Sequence, residues 1–139
     1  MGKINFGKVI TGGLVAGVVM NVLDFVMNNY LMKADFDAVN VARNIDPAVA
    51  AAAIPAYVAI DFAFGILAVF TYAAIRPRFA AGPNTAVIAG LILGVAGNLV
   101  AAFFTAGGFF PWSVWTMASA ISLVNICVGT VAGAWLYSE

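Results

Sequence analysis

The sequence predicts an all-α integral membrane protein, a bundle of four transmembrane helices, and three observations carry that prediction. Apolar residues make up 64% of the chain and charged residues 9%, against about a quarter charged in an ordinary soluble domain. Four long apolar stretches are separated by Pro, Gly and charged residues. A nine-residue phrase, Gly13-Leu14-Val15-Ala16-Gly17-Val18-Val19-Met20-Asn21, recurs with five identities as Gly90-Leu91-Ile92-Leu93-Gly94-Val95-Ala96-Gly97-Asn98. So few polar side chains cannot cover a water-facing surface, so lipid must solvate much of the chain.

The chain reads as one transmembrane domain over 1–139. The first span covers about residues 6–32. Lys3 and Lys8 precede it, and the uncharged run from Val9 to Leu23 is longer than a signal peptide's apolar core, which predicts a retained helix. The second covers about 55–75, with Pro77 expected to stop it. Before it lies the one long connection, 33–54, where Asp46-Pro47 reads as a cap and a first-turn proline. That pair predicts a short interfacial helix over 48–54, turning into the membrane at Pro55. The third span covers about 85–105, opened by Gly82-Pro83-Asn84 with Asn84 as its cap and closed by Gly107-Gly108. The fourth follows Pro111 and covers about 112–137. Each has the roughly 20 residues needed to cross a hydrocarbon core of about 30 Å.

The basic residues orient the bundle. Lys3, Lys8, Arg76 and Arg78 fall on one side, while Lys33 and Arg43 fall on the other, diluted by Asp35, Asp37 and Asp46. The excess of positive charge places the first group, and both termini, in the cytoplasm. Tyr30, Tyr57, Trp112 and Trp115 then fall near the outer boundary, and Tyr72, Trp135 and Tyr137 near the inner one. With no Ser- and Arg-rich transit segment, a bacterial inner membrane is expected.

Composition also excludes chemistry. The six basic residues are scattered and balanced by six acidic ones, so no polyanion site, and no nucleic-acid partner, is expected. The chain has no histidine and a single cysteine, Cys127. Zinc sites, histidine-ligated haem, iron–sulfur clusters, Cys-His nucleophiles and internal disulfides all need residues that are missing. No phosphate-binding glycine loop or Gly-x-Ser-x-Gly elbow is present. No metal, cofactor or enzymatic activity is therefore expected, and Cys127 reads as a small buried hydrophobe.

Each span carries one face of small or polar residues. In the first, Gly13, Gly17, Asn21, Asp24 and Asn28 follow at intervals of four, four, three and four, which aligns them along a helix. The third repeats the plan with Gly90, Gly94, Asn98, Ala101 and Thr105. The fourth offers Ser119, Ser122, Asn125, Gly129 and Gly133, and the second Asp61, Gly65, Ala68 and Tyr72. Helices dissolved in lipid associate through close packing and polar pairing, so Gly13, Gly17, Gly90, Gly94, Gly129 and Gly133 read as packing positions. Asn21, Asn98 and Asn125 fall near mid-span. They are expected to bond to one another across the bundle, each bond contributing on the order of 1 kcal/mol, and serve either as interhelical glue or as part of a ligand path. Because the matching spans run the same way, the repeated phrase predicts either a duplicated helix pair, two plus two, or convergent packing.

Asp24 and Asp61 stand apart. An ionised aspartate at mid-bilayer costs about 2.5–3.5 kcal/mol on insertion scales, and both fall roughly 6–8 Å outward of the midplane at 1.5 Å per residue. No Lys, Arg or His lies at that depth. Either the two share a proton or a cation, or each faces a backbone donor or a wet outer vestibule. Two function classes follow. The first is an accessory or assembly subunit, forming a homo-oligomer or part of a larger membrane complex in the lipid bilayer. The second is a small carrier or channel for protons, monovalent cations or a small polar solute, its path lined by Asp24, Asp61, Asn21, Asn98 and Asn125.

Overall fold

A computed structural model describes residues 3–138, and within them the secondary structure is all helix, with no strand. Helix α1 spans Phe6–Val26, opened by the Asn5 side chain, which accepts from the Lys8 N–H at 3.1 Å. At its far end the ladder widens into one π-helical turn, Met27–Leu31. There Asn28 Nδ2 and Asn29 Nδ2 donate to the carbonyls of Asp24 and Phe25, the acceptors an α-helix would give to backbone N–H groups, and Met32 N reaches back five residues to Met27 O.

The long connection holds two helices. The expected short one is α3, Pro47–Ala52, with Asp46 accepting from Ala48 N at 2.7 Å and Pro47 in the first turn. Ahead of it lies an element the sequence reading missed, α2, Lys33–Ala42. Its Val39 joins Met27, Met32 and Val114 in a small core, with Phe36, Ala118 and Ile121 at the margin. Arg43 straps this layer to the turn between the last two helices, donating to Phe109 O at 2.9 Å with its guanidinium 4.4 Å from the Phe109 ring centroid.

Helix α4 spans Ile54–Phe79, α5 Pro83–Ala106 and α6 Trp112–Ala134. Pro77 does not stop α4. It lies inside the helix's last turn, where losing one ladder bond is cheap, and the helix runs two residues further. Nor does Asn84 cap α5, which begins one residue earlier, at Pro83. The corner is closed instead by Thr85, whose hydroxyl donates to the terminal carbonyls of α4, Phe79 at 3.0 Å and Ala80 at 2.7 Å.

Four helical segments, Phe6–Leu31, Pro47–Phe79, Pro83–Ala106 and Trp112–Ala134, are long and apolar enough to cross a membrane. They alternate in direction and pack in the cyclic order α1, α4, α5, α6, with α4 and α6 also touching across the diagonal. The closest approaches fall at glycine. A Cβ on Gly12 would lie 2.5 Å from Gly133 O, one on Gly65 2.5 Å from Gly17 N, and one on Gly90 2.9 Å from Cys127 Cα. Gly13 and Gly17 lie against Ile66 and Phe62 of α4, Gly94 against Leu123 of α6, and Gly129 against Met20 of α1. The small-residue faces are thus consumed within the chain, and are not left free as adhesive stripes.

Tyr72 and Tyr137 are not part of an inner aromatic girdle. Both are buried, their rings 6.0 Å apart and nearly perpendicular. Each hydroxyl accepts a backbone N–H, Tyr72 from Gly82 at 3.3 Å and Tyr137 from Asn5 at 3.2 Å. With their polar ends satisfied inside, the rings close one end of the bundle core.

Candidate functional site

Cα–Cβ bonds lean toward the N-terminus of their own helix. Asp24 on α1 therefore leans into the bundle, and Asp61 on the antiparallel α4 leans out toward the α2 layer. Their carboxyl groups meet within hydrogen-bonding reach. Asn125, from α6, completes the group: its Nδ2 donates to Asp24 Oδ1 at 2.6 Å and to Met20 O at 3.2 Å. The site is set by antiparallel packing, because only opposed helices bring two side chains from different depths to one level.

These three residues and Ser122 are the polar wall of a cavity of about 130 Å³ at the junction of α1, α4 and α6. The rest of the lining is Met20, Ile60, Phe64 and Ile126. Asn125 is 4% exposed, and its Oδ1 is buried without a hydrogen-bond partner. The alternative amide orientation would turn that oxygen toward Met20 O and Asp24 Oδ1, both acceptors, so the network fixes the orientation of the amide. A buried amide oxygen left without a donor carries a desolvation penalty of about 1–3 kcal/mol unless something in the cavity meets it.

Two carboxylates only accept, so contact between them requires a proton or a cation in the gap. Among the described residues no Lys or Arg lines the cavity. Helix α5 carries no ionisable residue, and the basic residues of α4, Arg76 and Arg78, lie in its last turn. Lys33 is paired with Asp37 on the α2 surface. Cys127 faces α5, its thiol 3.9 Å from Val87 O. Among the described residues no three His, Cys, Asp or Glu side chains converge.

The other two amides are elsewhere, and the expected ring of three mutually bonded asparagines does not form. Asn21 Nδ2 donates to Gly17 O at 2.9 Å and Val58 O at 3.3 Å, tying α1 to α4. Asn98 Nδ2 donates to Ser119 O at 3.2 Å, tying α5 to α6. Each amide found a backbone carbonyl of the helix beside it before it could reach another amide. Asn98 still touches the cavity indirectly, since Ser122 donates to its Oδ1 at 3.1 Å. Ser122 is the polar residue the sequence reading left off its candidates, though it lies on the same small-residue face as Asn125. Asn28 and Thr105, also on polar faces, direct their side chains to carbonyls of their own helices.

No known protein family, characterised protein or solved structure matches this chain.

Proposed function

We propose that this protein is a small membrane carrier that passes protons or monovalent cations through the Asp24–Asp61 pair. The single observation behind the reading is that Asp24 and Asp61 line one cavity between three membrane-length helices, beside Asn125, whose buried Oδ1 has no hydrogen-bond partner. Intramembrane carboxyls of this kind mark ion pathways, because their burial has to be offset by a bound charge. The cavity lies on the α2 side of the close glycine packing between α1 and α4.

The proposed setting is a bacterial inner membrane with both termini in the cytoplasm. Lys3, Lys8, Arg76 and Arg78 gather at one end of the helices, and the acidic connection at the other.

The test is flux into vesicles. Purified protein is reconstituted in proteoliposomes holding a pH-sensitive dye, and a gradient is imposed. Wild type is expected to dissipate it, and Asp24→Asn with Asp61→Asn to fall to the protein-free baseline. A double variant as active as wild type refutes the carrier reading.

A second reading, an assembly subunit or self-associating bundle, draws on α5. It is the least buried of the four helices, and it exposes Leu91, Ile92, Val95, Leu99, Val100 and Phe103. Native mass spectrometry from nanodiscs tests it, with a lone monomer counting against.

A further inference from the structure

The geometry points to a dehydrated sodium-class cation as the second occupant of this cavity, bound by Asp24, Asp61 and the Asn125 Oδ1 in exchange for the proton between the carboxyls. The inference rests on the carrier reading and names its substrate. The Asn125 oxygen is the observation that a proton alone leaves unexplained. A proton shared by Asp24 and Asp61 satisfies those two groups and gives nothing to the buried, unpartnered carbonyl oxygen of Asn125, a residue 4% exposed. A cation accepts lone pairs from all three at once, and Ser122, in the same wall, adds a fourth oxygen.

Charge and coordination select the kind of ion. Two carboxyls sharing one proton carry a net charge of minus one, and a monovalent cation replacing that proton leaves the charge unchanged. A divalent ion needs six or more oxygens or a retained octahedral water shell, whereas half of this lining is Met20, Ile60, Phe64 and Ile126. Adjacent carboxylates make a strong-field site, and strong anionic fields repay the dehydration of a small ion better than that of a large one. Sodium and lithium therefore bind in preference to potassium.

Exchange makes binding depend on pH, and the groups that set this dependence are few. On α1, α4 and α6 the ionisable residues at the cavity are Asp24 and Asp61 alone. Tyr57, Arg76 and Arg78 on α4 and Lys8 on α1 do not line it, and Cys127 on α6 faces Val87. Helix α5 contributes none, and on the α2 layer Lys33, Asp35 and Asp37 lie outside the lining. One proton leaves for each cation that enters, so binding weakens by about tenfold per pH unit once the pair is protonated.

The experiment is equilibrium binding of radioactive sodium to the full chain in nanodiscs, with choline chloride holding ionic strength constant. One saturable site per chain at pH 8.5 is expected. Lithium should displace the label, potassium should do so at least tenfold more weakly, and lowering the pH should release it. Asn125→Leu, close in size but without the oxygen, should weaken binding at least tenfold. Absence of saturable sodium binding to wild type, pH-independent binding, or equal displacement by potassium overturns the inference. If sodium binding is absent while Asp24- and Asp61-dependent proton flux persists, the carrier reading stands and only the cation assignment falls. Loss of both removes both. The wild-type competition decides the matter even where the Asn125 variant fails to fold.

Discussion

Gly65→Ala and Gly97→Ala make the same chemical change in two helices and are expected to have opposite effects. Alanine is favoured over glycine inside a helix by about 0.8–1.0 kcal/mol, and at Gly97 nothing opposes that gain. The added Cβ would lie 3.7 Å from Phe64 Cζ, an ordinary contact, so a net stabilisation of about 0.5–1 kcal/mol follows. At Gly65 the Cβ would lie 2.5 Å from Gly17 N and against Gly13 O, backbone atoms that no rotamer change can move. Helices α1 and α4 must separate by roughly 1 Å, an overpacking strain of about 1–3 kcal/mol. The Asn21–Val58 bond, already 3.3 Å long, then breaks and removes about 0.6 kcal/mol more. Set against the helix-propensity gain, Gly65→Ala is destabilised by about 0.6–2.8 kcal/mol. Titrating reconstituted protein with denaturing detergent and following helix content by circular dichroism measures both variants. A Gly65→Ala protein within about 0.5 kcal/mol of wild type would refute the claim that backbone contact sets the α1–α4 distance.

Three further outcomes are expected. Thr85→Val removes the hydroxyl that serves two terminal carbonyls of α4, and should destabilise the protein by about 1–2 kcal/mol in the same titration. Arg43→Ala releases the strap between the α2 layer and Phe109, a largely exposed contact worth about 0.5–1 kcal/mol; hydrogen exchange over residues 33–53 should quicken, with α4 to α6 unchanged. In a Cys127→Ser background, single cysteines at Ser138 and Val41 should react with an impermeant maleimide from opposite faces of a sealed vesicle, and labelling from one face contradicts the four-span topology.

The bundle was legible because lipid-soluble helices announce themselves through length, and four segments of the observed lengths have no other way to bury so little polar surface. The glycine faces were legible too: Gly13, Gly17 and Gly90 are spaced for close approach and make it. What was hidden depended on direction. Counting along the sequence put Asp24 and Asp61 at one depth, whereas their backbones sit at different levels, since Gly17 lies opposite Phe62 and Asn21 opposite Val58; their meeting, and the arrival of Asn125 from a third helix, follow from which helices are neighbours. Nothing in one strand of text records that. The same gap explains Asn21 and Asn98, whose central positions suggested a single ring although each serves a different pair of helices. Helix α2 is a different case. Met32, Phe36 and Val39 recur at helical spacing, so a signal existed, but Lys33, Asp35 and Asp37 made the segment read as a plain connection. In the π-helical turn the paired amides Asn28 and Asn29 bond back to carbonyls of their own helix, a pattern that becomes informative only once their acceptors are known.

The glycine contacts near Gly12 and Gly13, together with the Tyr72–Tyr137 knot, fix one half of the bundle like the pivot of a pair of shears. One turn further along Gly65 meets Gly17, and α1 changes into its wide turn three residues after Asp24. From Gly13 to Asp24 the lever arm is roughly 16 Å at 1.5 Å per residue. A swing of α1 by about 10° would therefore shift Asp24 by nearly 3 Å, about the width of a water molecule. Widening the Asp24–Asp61 cavity by such a swing would carry Asn21 along by about 2 Å, and so has to break its bond to Val58.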